Sequence, residues 1–249
     1  MQDRKAQKSK GASKAQVSSQ AEVAPQAGGA SKTELDPNLT RQDLDLGNYL
    51  SPLPVTLVSS QKAGDRPNAL TIAWNGIINS KPPMVSISLQ RTRYSYQTIK
   101  ETGEFVVNVP DLALAKALDY CGVKSYRDTD KFQDLGLHTE PMQGLDQAPA
   151  IVEAPLSLGC KLRDVHALGS HDLFLGEIIS IRARASLIDD QGALRLEDAG
   201  LISYVHGEYF SLGDWLGFFG WSIAKEDVLK RRTQAARTRE KKRKYGKLK

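Results

Sequence analysis

The sequence predicts a mainly β fold, an antiparallel β-barrel with short flanking helices. Short stretches in which apolar and polar residues alternate recur between residues 54 and 213, and Gly, Pro and Asn separate them. The regular alternation of strands and helices that marks a parallel α/β sheet is not seen. We therefore expect at least seven strands and two or three short helices, arranged as an antiparallel barrel.

Each predicted strand carries an apolar face. In residues 84–90 the side chains of Val85, Ile87 and Leu89 share one face, and polar side chains alternate with them. Residues 171–188 predict one long, bent strand whose apolar side chains occupy the odd positions. The other predicted strands are residues 54–60, 69–74, 104–110 and 155–165, followed by a hairpin over residues 201–213 that turns near Gly207.

Two short helices are predicted from the residues at their ends. Residues 94–101 favour a helix that stops at Gly103. Asp111 is a good N-cap for a second, Ala- and Leu-rich helix over residues 112–120, which Gly122 should close.

The positive charge of the chain is concentrated at its two ends. The formal net charge is +5, and the pI is about 9.1. Residues 1–35 hold six Lys/Arg and three Asp/Glu, and residues 222–249 hold twelve and three, so residues 36–221 carry a net charge of −7. We expect a disordered tail over residues 1–35, because its composition offers little apolar surface to bury. Residues 36–221 then form the barrel domain.

Residues 222–249 have the composition of a basic helix. Ile223, Val228 and Leu229 are the only early apolar anchors, so we expect a docked helix that continues as a solvated tail. A nucleic acid could bind only to the basic ends of the chain, and only weakly.

Several classes of protein are excluded by missing features. No apolar run reaches the roughly 18 residues of a membrane span, and no secretory signal is present, so we expect a cytoplasmic protein without a membrane partner. Cys121 and Cys160 are too few for a disulfide framework or a four-cysteine zinc site. The motifs of P-loop hydrolases, Rossmann domains, zincins and α/β-hydrolases are missing, and the four histidines are not spaced as metal ligands.

Motifs between residues 68 and 210 carry the functional information through their order and spacing. They are Asn68–Trp74, Asn79–Ser88, Arg91–Ser95, Gly103–Asn108, Asp130–Phe132, Gly169–Ile178 and Gly207–Phe210. Together they resemble the flavin reductase-like family of FMN-binding split barrels, and within it the flavoredoxin-type branch. The resemblance covers about residues 48–221 and neither tail.

That resemblance implies a six-stranded split barrel that binds FMN and acts as an oxidoreductase. NAD(P)H or a reduced electron-carrier protein would donate electrons to the bound FMN, and a free flavin, a ferric complex or a protein would accept them. The resemblance also implies a homodimer with FMN near the subunit interface.

Arg91, Arg93, Tyr94 and Ser95 lie between a strand end and a helix start. Guanidinium groups, hydroxyls and free backbone N–H groups can converge there on an anion. Such a cluster taken alone is more often a solvated charged turn. With the resemblance, we assign these four residues to the FMN phosphate.

The strand that begins at Asn68 is the candidate seat of the flavin ring. Small side chains at Ala69 and Ala73 let backbone amides approach a planar ligand, and Thr71 adds a hydroxyl on the same face. The same alternation is ordinary for a half-buried strand. By resemblance, this strand lines the flavin as far as Trp74, and its amides address the ring.

Three residues from the second half of the motif set complete the predicted site. By resemblance, Lys131 and Phe132 lie near the flavin, with Lys131 paired to the phosphate, and His171 contacts the flavin or the nicotinamide as the candidate catalytic residue. From the residues alone, Asp130 and Lys131 could equally form a local ion pair at a helix start. His171 could be an ordinary surface or hydrogen-bonded histidine.

Three other functions stay open from the sequence. An FMN electron carrier without NAD(P)H activity would have the same motifs. A pyridoxamine-phosphate-oxidase-like enzyme uses a related barrel, although the cluster from Arg91 to Ser95 is more similar to the reductase branch. A nucleic-acid-binding protein could be built on the basic tails, but the acidic domain would make its binding weak and dependent on salt.

Overall fold

The computed structural model describes residue 39 and residues 41–245, with side chains up to residue 239. The predicted disordered tail, residues 1–35, lies outside the described residues. The chain divides into two units, residues 1–47 and residues 48–249. In the first unit, residues 41–47 are exposed and form neither helix nor strand.

The second unit is mainly β, as predicted. Its strands are β1 (Leu53–Pro54), β2 (Thr56–Ser60), β3 (Asn68–Ile72), β4 (Asn75–Ser80), β5 (Pro83–Leu89), β6 (Glu104–Val109), β7 (Thr139–Glu140), β8 (Ala150–Ile151), β9 (Leu156–Ala167), β10 (Asp172–Ala183), β11 (Ile202–Val205) and β12 (Glu208–Ser211). Its helices are α1 (Tyr94–Thr102), α2 (Ala115–Val123), α3 (Lys131–Leu135) and α4 (Glu226–Tyr245).

Seven antiparallel strands form one sheet in the order β3-β2-β6-β9-β10-β5-β4. β3 and β4 lie at opposite edges of this sheet, yet only Ala73 and Trp74 separate them in the chain. The sheet must therefore curl until its edges meet at these two residues, which gives a split barrel. The prediction of a split barrel is confirmed, with seven strands in the main sheet rather than six.

The two faces of β2 and β3 enter different apolar cores. One core fills the barrel and includes Val58, Ile87, Phe105 and Phe174. The other packs the outer face of these strands against α2 and α3, and it includes Leu57, Ala69, Leu118 and Phe132. The strand period of two is what sends alternate side chains into the two cores.

The buried face of β10 is the opposite of the one predicted. Phe174 and Ile178, at even positions, are buried, whereas Ile179 and Ile181, at odd positions, are exposed. The strand also ends at Ala183, and the last predicted residues form a 3-10 turn over Ala185–Leu187. The prediction failed because both faces of this strand carry apolar side chains, so alternation alone could not identify the inner one.

Several boundary residues act as predicted. Gly103 ends α1 with a left-handed φ of 69°. The Asp111 carboxylate accepts a hydrogen bond from the Ala113 N–H at 3.1 Å, which caps the 3-10 turn that leads into α2. His206 and Gly207 form the turn between β11 and β12, both with positive φ.

Two local predictions were wrong. Gly122 does not close α2, because the helix continues to Val123. A Cβ on Gly122 would lie 3.3 Å from the Cβ of Thr71, so glycine permits close packing of α2 on β3. Strand β4 was missed because its sequence, NGIINS, is exposed and rich in turn-forming residues.

The basic C-terminal segment forms α4, as expected, but its anchoring differs from the prediction. Ile223 is 89% exposed and precedes the helix. Ala236 is the buried residue of α4 among the described side chains. Arg239 adds an ion pair, with its Nη1 3.6 Å from Oε1 of Glu197. Val228 and Leu229 are half-buried.

No helix within residues 41–245 is both long and apolar enough to cross a membrane. The same described residues contain no group of three or more His, Cys, Asp and Glu side chains that could hold a metal ion.

Candidate functional site

Two adjoining clefts lie at the split of the barrel. The larger cleft, about 430 Å³, runs along the outer edge of β3 to the end of β5. The smaller cleft, about 210 Å³, lies at the N-terminus of α1. Leu70, Gln90 and Arg93 line both, so the clefts are continuous. Together they offer a long slot with a pocket at one end.

The larger cleft is lined largely by the β3 strand and by aromatic and imidazole rings. β3 has a strand partner on only one side, so backbone groups along its outer edge lack a strand partner and can meet a ligand, except the Ala69 carbonyl, which accepts a hydrogen bond from Lys131 Nζ. The rings of Trp74 and His171 pack with their centroids 4.7 Å apart, and Nδ1 of His171 lies 3.0 Å from Oγ of Ser170. Tyr204 and His206 from the β11–β12 hairpin form another wall.

The smaller cleft contains hydroxyl and amide groups with spare hydrogen-bonding capacity. Oγ of Ser95 accepts hydrogen bonds from Asn68 Nδ2 at 2.8 Å and from Ser60 Oγ at 3.2 Å. Its own proton is therefore left to donate to a ligand. Oδ1 of Asn68 is buried and has no hydrogen-bond partner among the described residues. The cleft thus presents one donor and one acceptor that the protein does not satisfy.

The charge of the smaller cleft suits an anion. Arg93, Lys124 and Lys131 line it, and none of its described lining residues is acidic. The first turn of α1 also lacks an acidic residue, and no side chain caps this helix, so its free N–H groups and dipole favour an anion. The surrounding residues 36–221 carry a net charge of −7, so this positive site is a local feature.

Lys131 ties β3 to α2. Its buried Nζ donates hydrogen bonds to the carbonyl of Ala69 at 2.7 Å and to that of Cys121 at 3.1 Å. Burial lowers the pKa of Lys131, and the nearby charge of Arg93 lowers it further. A bound anion would oppose both effects. Asp130 caps α3 by accepting a hydrogen bond from the Gln133 N–H.

Arg91 lies apart from the other residues of its predicted cluster. Its guanidinium donates from Nε to Asp172 Oδ2 at 3.0 Å and from Nη2 to Oδ1 at 2.9 Å. The Tyr96 hydroxyl donates to the same carboxylate at 2.6 Å. These hydrogen bonds lower the pKa of Asp172 to about 2. Arg91 is thus used in joining the end of β5 to β10, and it lines neither cleft.

Other predicted residues of the β3 region face a core. The hydroxyl of Thr71 donates to the carbonyl of Leu118 in α2, and the Ala69 side chain is buried against the same helix. Phe132 is buried in that core as well. The side chain of Ala73 packs against the core while the residue lines the larger cleft.

Sequence reasoning missed a tyrosine platform beside the smaller cleft. Tyr126 stacks on Tyr94 with ring centroids 3.8 Å apart, and the Arg66 guanidinium lies 4.4 Å from the Tyr126 ring. The Tyr94 hydroxyl donates to Asp65 at 2.7 Å. The run Lys124-Ser125-Tyr126, directly after a helix, was the available signal. No comparable sequence signal marked four other residues that line the larger cleft, Ser88, Gln90, Tyr204 and His206.

The two cysteines are buried and do not form a redox pair. Burial raises the pKa of Cys121 to about 11 and that of Cys160 to about 12. Both thiols therefore stay protonated at neutral pH.

Comparison with known proteins identifies the fold around these clefts. Residues 49–213 match the model of the flavin reductase like domain. The flavoredoxin of Desulfovibrio vulgaris (Miyazaki F) is 30% identical, with a TM-score of 0.68 over 75% of this chain and 100% of that one. The flavoredoxin of Methanosarcina acetivorans is 26% identical, with a TM-score of 0.64 over 72% and 95%.

The FMN-binding protein of Thermus thermophilus shares the fold at lower identity. It is 20% identical to this chain, with a TM-score of 0.61 over 72% of this chain and 97% of that one. At this identity the likeness shows the fold alone. It nevertheless shows that the same architecture occurs in a protein described as binding FMN.

Proposed function

Because the chain belongs to the flavin reductase-like family, in its flavoredoxin-type branch, we propose that it is an FMN-dependent oxidoreductase. Electrons enter from NAD(P)H or a reduced carrier protein, and they leave to a free flavin, a ferric complex or a protein acceptor. The family supplies the flavin-binding fold, and the choice of FMN rests on the clefts themselves.

The observation that carries the proposal is the unsatisfied polar pair in the smaller cleft. Ser95 has a proton to donate, and Asn68 has a buried oxygen that needs a donor. FMN supplies both partners, because its phosphate accepts hydrogen bonds and its ribityl hydroxyls donate them. Arg93, Lys124 and Lys131 supply the positive charge that a phosphate needs.

The larger cleft suits the flavin ring. The ring is flat and carries donors and acceptors along its edge, and the outer edge of β3 presents matching backbone groups. We assign Ala69, Thr71, Ala73 and Trp74 to this contact, whereas Asn68 contacts the flavin from the smaller cleft. Ala69 and Thr71 take part through their backbone, since their side chains pack on α2.

When bound, FMN accepts a hydride or single electrons and passes them on. The residues of the protein bind FMN and orient it and its reaction partners. Arg93, Ser95 and Lys131 hold the phosphate end through their side chains, and Tyr94 takes part through its backbone N–H at the start of α1, since its hydroxyl donates to Asp65. His171 stands against Trp74 in the larger cleft, where it can position the nicotinamide or the acceptor. Arg91 and Phe132 support the site indirectly, through Asp172 and through the packing of α3.

We also propose a homodimer that works in the cytoplasm. Ile77 and Ile78 on the edge strand β4 are exposed, as are Ile179 and Ile181 on β10. Exposed apolar side chains on a sheet support a subunit interface. Two buried free thiols support a reducing compartment.

The test is the visible spectrum of the purified protein, followed by titration with FMN and riboflavin and by anaerobic addition of NADH or NADPH. We expect a flavin spectrum, tighter binding of FMN than of riboflavin, and bleaching by one of the nicotinamides. Equal affinity for FMN and riboflavin would contradict the phosphate assignment. Bound pyridoxal phosphate or haem would contradict the function.

FMN binding without reduction by either nicotinamide would favour the alternative, an FMN electron carrier that receives electrons from a partner protein. Chemical reduction of the same sample, followed by reoxidation with a ferric complex, would then show that the bound flavin is redox-active. Size-exclusion chromatography with light scattering tests the dimer in the same preparation.

A further inference from the structure

Residues 212–223, here called the aromatic segment, expose apolar side chains next to α4. Phe219, Leu216 and Ile223 are almost fully exposed. Leu212, Trp215 and Trp221 are each about half exposed. Exposed apolar residues at scattered positions are normal, but six of them within twelve residues form a patch that indicates a binding surface.

The aromatic segment is physically joined to the most basic part of the chain. The Arg232 guanidinium lies 4.8 Å from the ring centroid of Phe218, and Ala236 of α4 is buried. The groove between α4 and the segment is lined by the apolar side chains of Leu212, Trp215 and Ala236, and acidic side chains line its remainder together with Arg239, namely Glu197, Asp198 and Asp214. The positive charge is therefore presented by the exposed face of α4 and not by the groove. Within residues 222–239, whose side chains the structure describes, six are Lys/Arg and two are Asp/Glu. Apolar insertion and positive charge are therefore presented together.

From this juxtaposition we propose that the aromatic segment and α4 form a docking surface for an anionic lipid bilayer. Trp side chains favour the membrane interface, where the indole ring meets acyl chains and its N–H meets headgroups. Phe and Leu side chains insert among the acyl chains. Stable attachment to a membrane surface generally needs two signals, and apolar side chains plus a polybasic helix supply both. The contact lies on the bilayer surface and needs no spanning segment.

The composition of the patch favours lipid over nucleic acid. Aromatic rings and arginines would suit both partners, since bases stack on rings and phosphates attract cations. Leu212, Leu216 and Ile223 have no such use on a nucleic acid, but they gain from burial among acyl chains. The net charge of −7 on residues 36–221 would repel an anionic bilayer and so turn this surface toward it.

This inference goes beyond the proposed flavin chemistry, and it replaces the expectation of no membrane partner. It does not depend on FMN binding. The two can therefore fail separately, because flavin content is read from absorbance and lipid binding from flotation with vesicles.

The test measures flotation of the full chain with two kinds of vesicle. One kind is pure phosphatidylcholine, and in the other about three lipids in ten are the anionic phosphatidylglycerol. We expect binding to the anionic vesicles only, weakened by salt, with a blue shift of tryptophan fluorescence. Leu216→Ser with Phe219→Ser should lower the binding constant about tenfold or more, because apolar burial is lost. Arg231→Glu with Arg237→Glu should lower it as well, and both pairs are exposed.

The matched control is Leu112→Ser with Val152→Ser, which removes two exposed apolar side chains elsewhere on the domain. It should bind anionic vesicles as the unchanged chain does. Melting curves and flavin content show that each variant is folded, and the charge pair keeps the test valid if the apolar pair does not fold.

Three outcomes would overturn the proposal. The first is no binding to anionic vesicles at low salt. The second is a change from dimer to monomer in the apolar variant without a change in lipid binding, which would make the segment a subunit interface. The third is tight binding of single-stranded RNA that the apolar and charge pairs weaken, with vesicle binding unaffected by the apolar pair.

Discussion

The smaller and larger clefts differ in how firmly their side chains are held. In the smaller cleft, Asn68 and Ser95 are buried, and the Ser95 hydroxyl is held by hydrogen bonds that Asn68 and Ser60 donate to it. In the larger cleft, Trp74 is exposed and His171 is half-buried, and their rings contact each other as a tilted pair. The side chains of the smaller cleft are preorganised for a ligand, and those of the larger cleft can adjust to one.

This difference separates affinity from reactivity. Preorganised, buried donors lose little entropy when a ligand binds, so they contribute mainly to affinity. Adjustable side chains over a ring can admit and position a second reactant. Changes in the smaller cleft should therefore alter how tightly FMN binds, and changes in the larger cleft should alter how fast bound flavin reacts.

The largest expected effect is on FMN affinity in Ser95→Ala. Loss of a hydrogen bond from a buried hydroxyl to a charged phosphate should weaken FMN binding by about 10- to 100-fold. Riboflavin affinity should change much less, because riboflavin has no phosphate. Fluorescence titration with both flavins measures the two constants.

Thr98→Val is the control for Ser95, because Thr98 lies one turn further along α1 and its hydroxyl donates to the Tyr94 carbonyl within the helix. It should leave both affinities near those of the unchanged chain. If Ser95→Ala weakened FMN and riboflavin equally, the smaller cleft would have a structural role and not a phosphate-binding one.

A smaller effect, on rate, is expected for His171→Ala. Removing the His171 imidazole, which packs against Trp74, should slow reduction of bound flavin by NAD(P)H about tenfold, or weaken nicotinamide binding on that scale. FMN affinity should stay nearly constant, because the phosphate end is untouched. Stopped-flow mixing under anaerobic conditions, with FMN-loaded protein, measures this.

The matched control is His138→Ala, since His138 is exposed and pairs with Glu153 away from both clefts. Its reduction kinetics should equal those of the unchanged chain. A normal rate and normal nicotinamide affinity in His171→Ala would remove His171 from the site.

The smallest effect on the ligand is expected for Arg91→Ala, which should act on stability. Asp172 would lose its bidentate partner while its side chain stays buried, so Tm should fall by several degrees, with FMN affinity little changed. Arg163→Ala breaks an exposed ion pair with Glu177 and serves as the control, with almost no change in Tm.

The same variant has a defined pH dependence. The pKa of Asp172 is lowered from 3.8 to about 2 in the folded protein, so its ionised form is favoured by folding. This stabilisation is complete above the unfolded value and is lost as pH falls from 3.8 toward 2. The Tm difference between the unchanged chain and Arg91→Ala should therefore shrink over that range. A constant difference, or reduced FMN affinity without a fall in Tm, would return Arg91 to the phosphate site.

The sequence alone determined the features that depend on neighbouring residues. Alternation predicted the strands around Val85 to Leu89, Gly103 ended α1 through its left-handed φ, and the His206-Gly207 turn formed the hairpin. The cationic helix start near Arg93 was also predictable, because the free N–H groups of a first turn follow from local geometry.

Only the tertiary structure decided how side chains with several possible partners are used. Arg91 and Arg93 are two residues apart, yet one binds Asp172, 81 positions away, and the other lines the clefts. The inner face of β10 and the tie from Lys131 to Ala69 were likewise set by distant elements. The physical reason is that local sequence fixes backbone conformation, whereas partners and burial depend on which distant surfaces the closed sheet brings together.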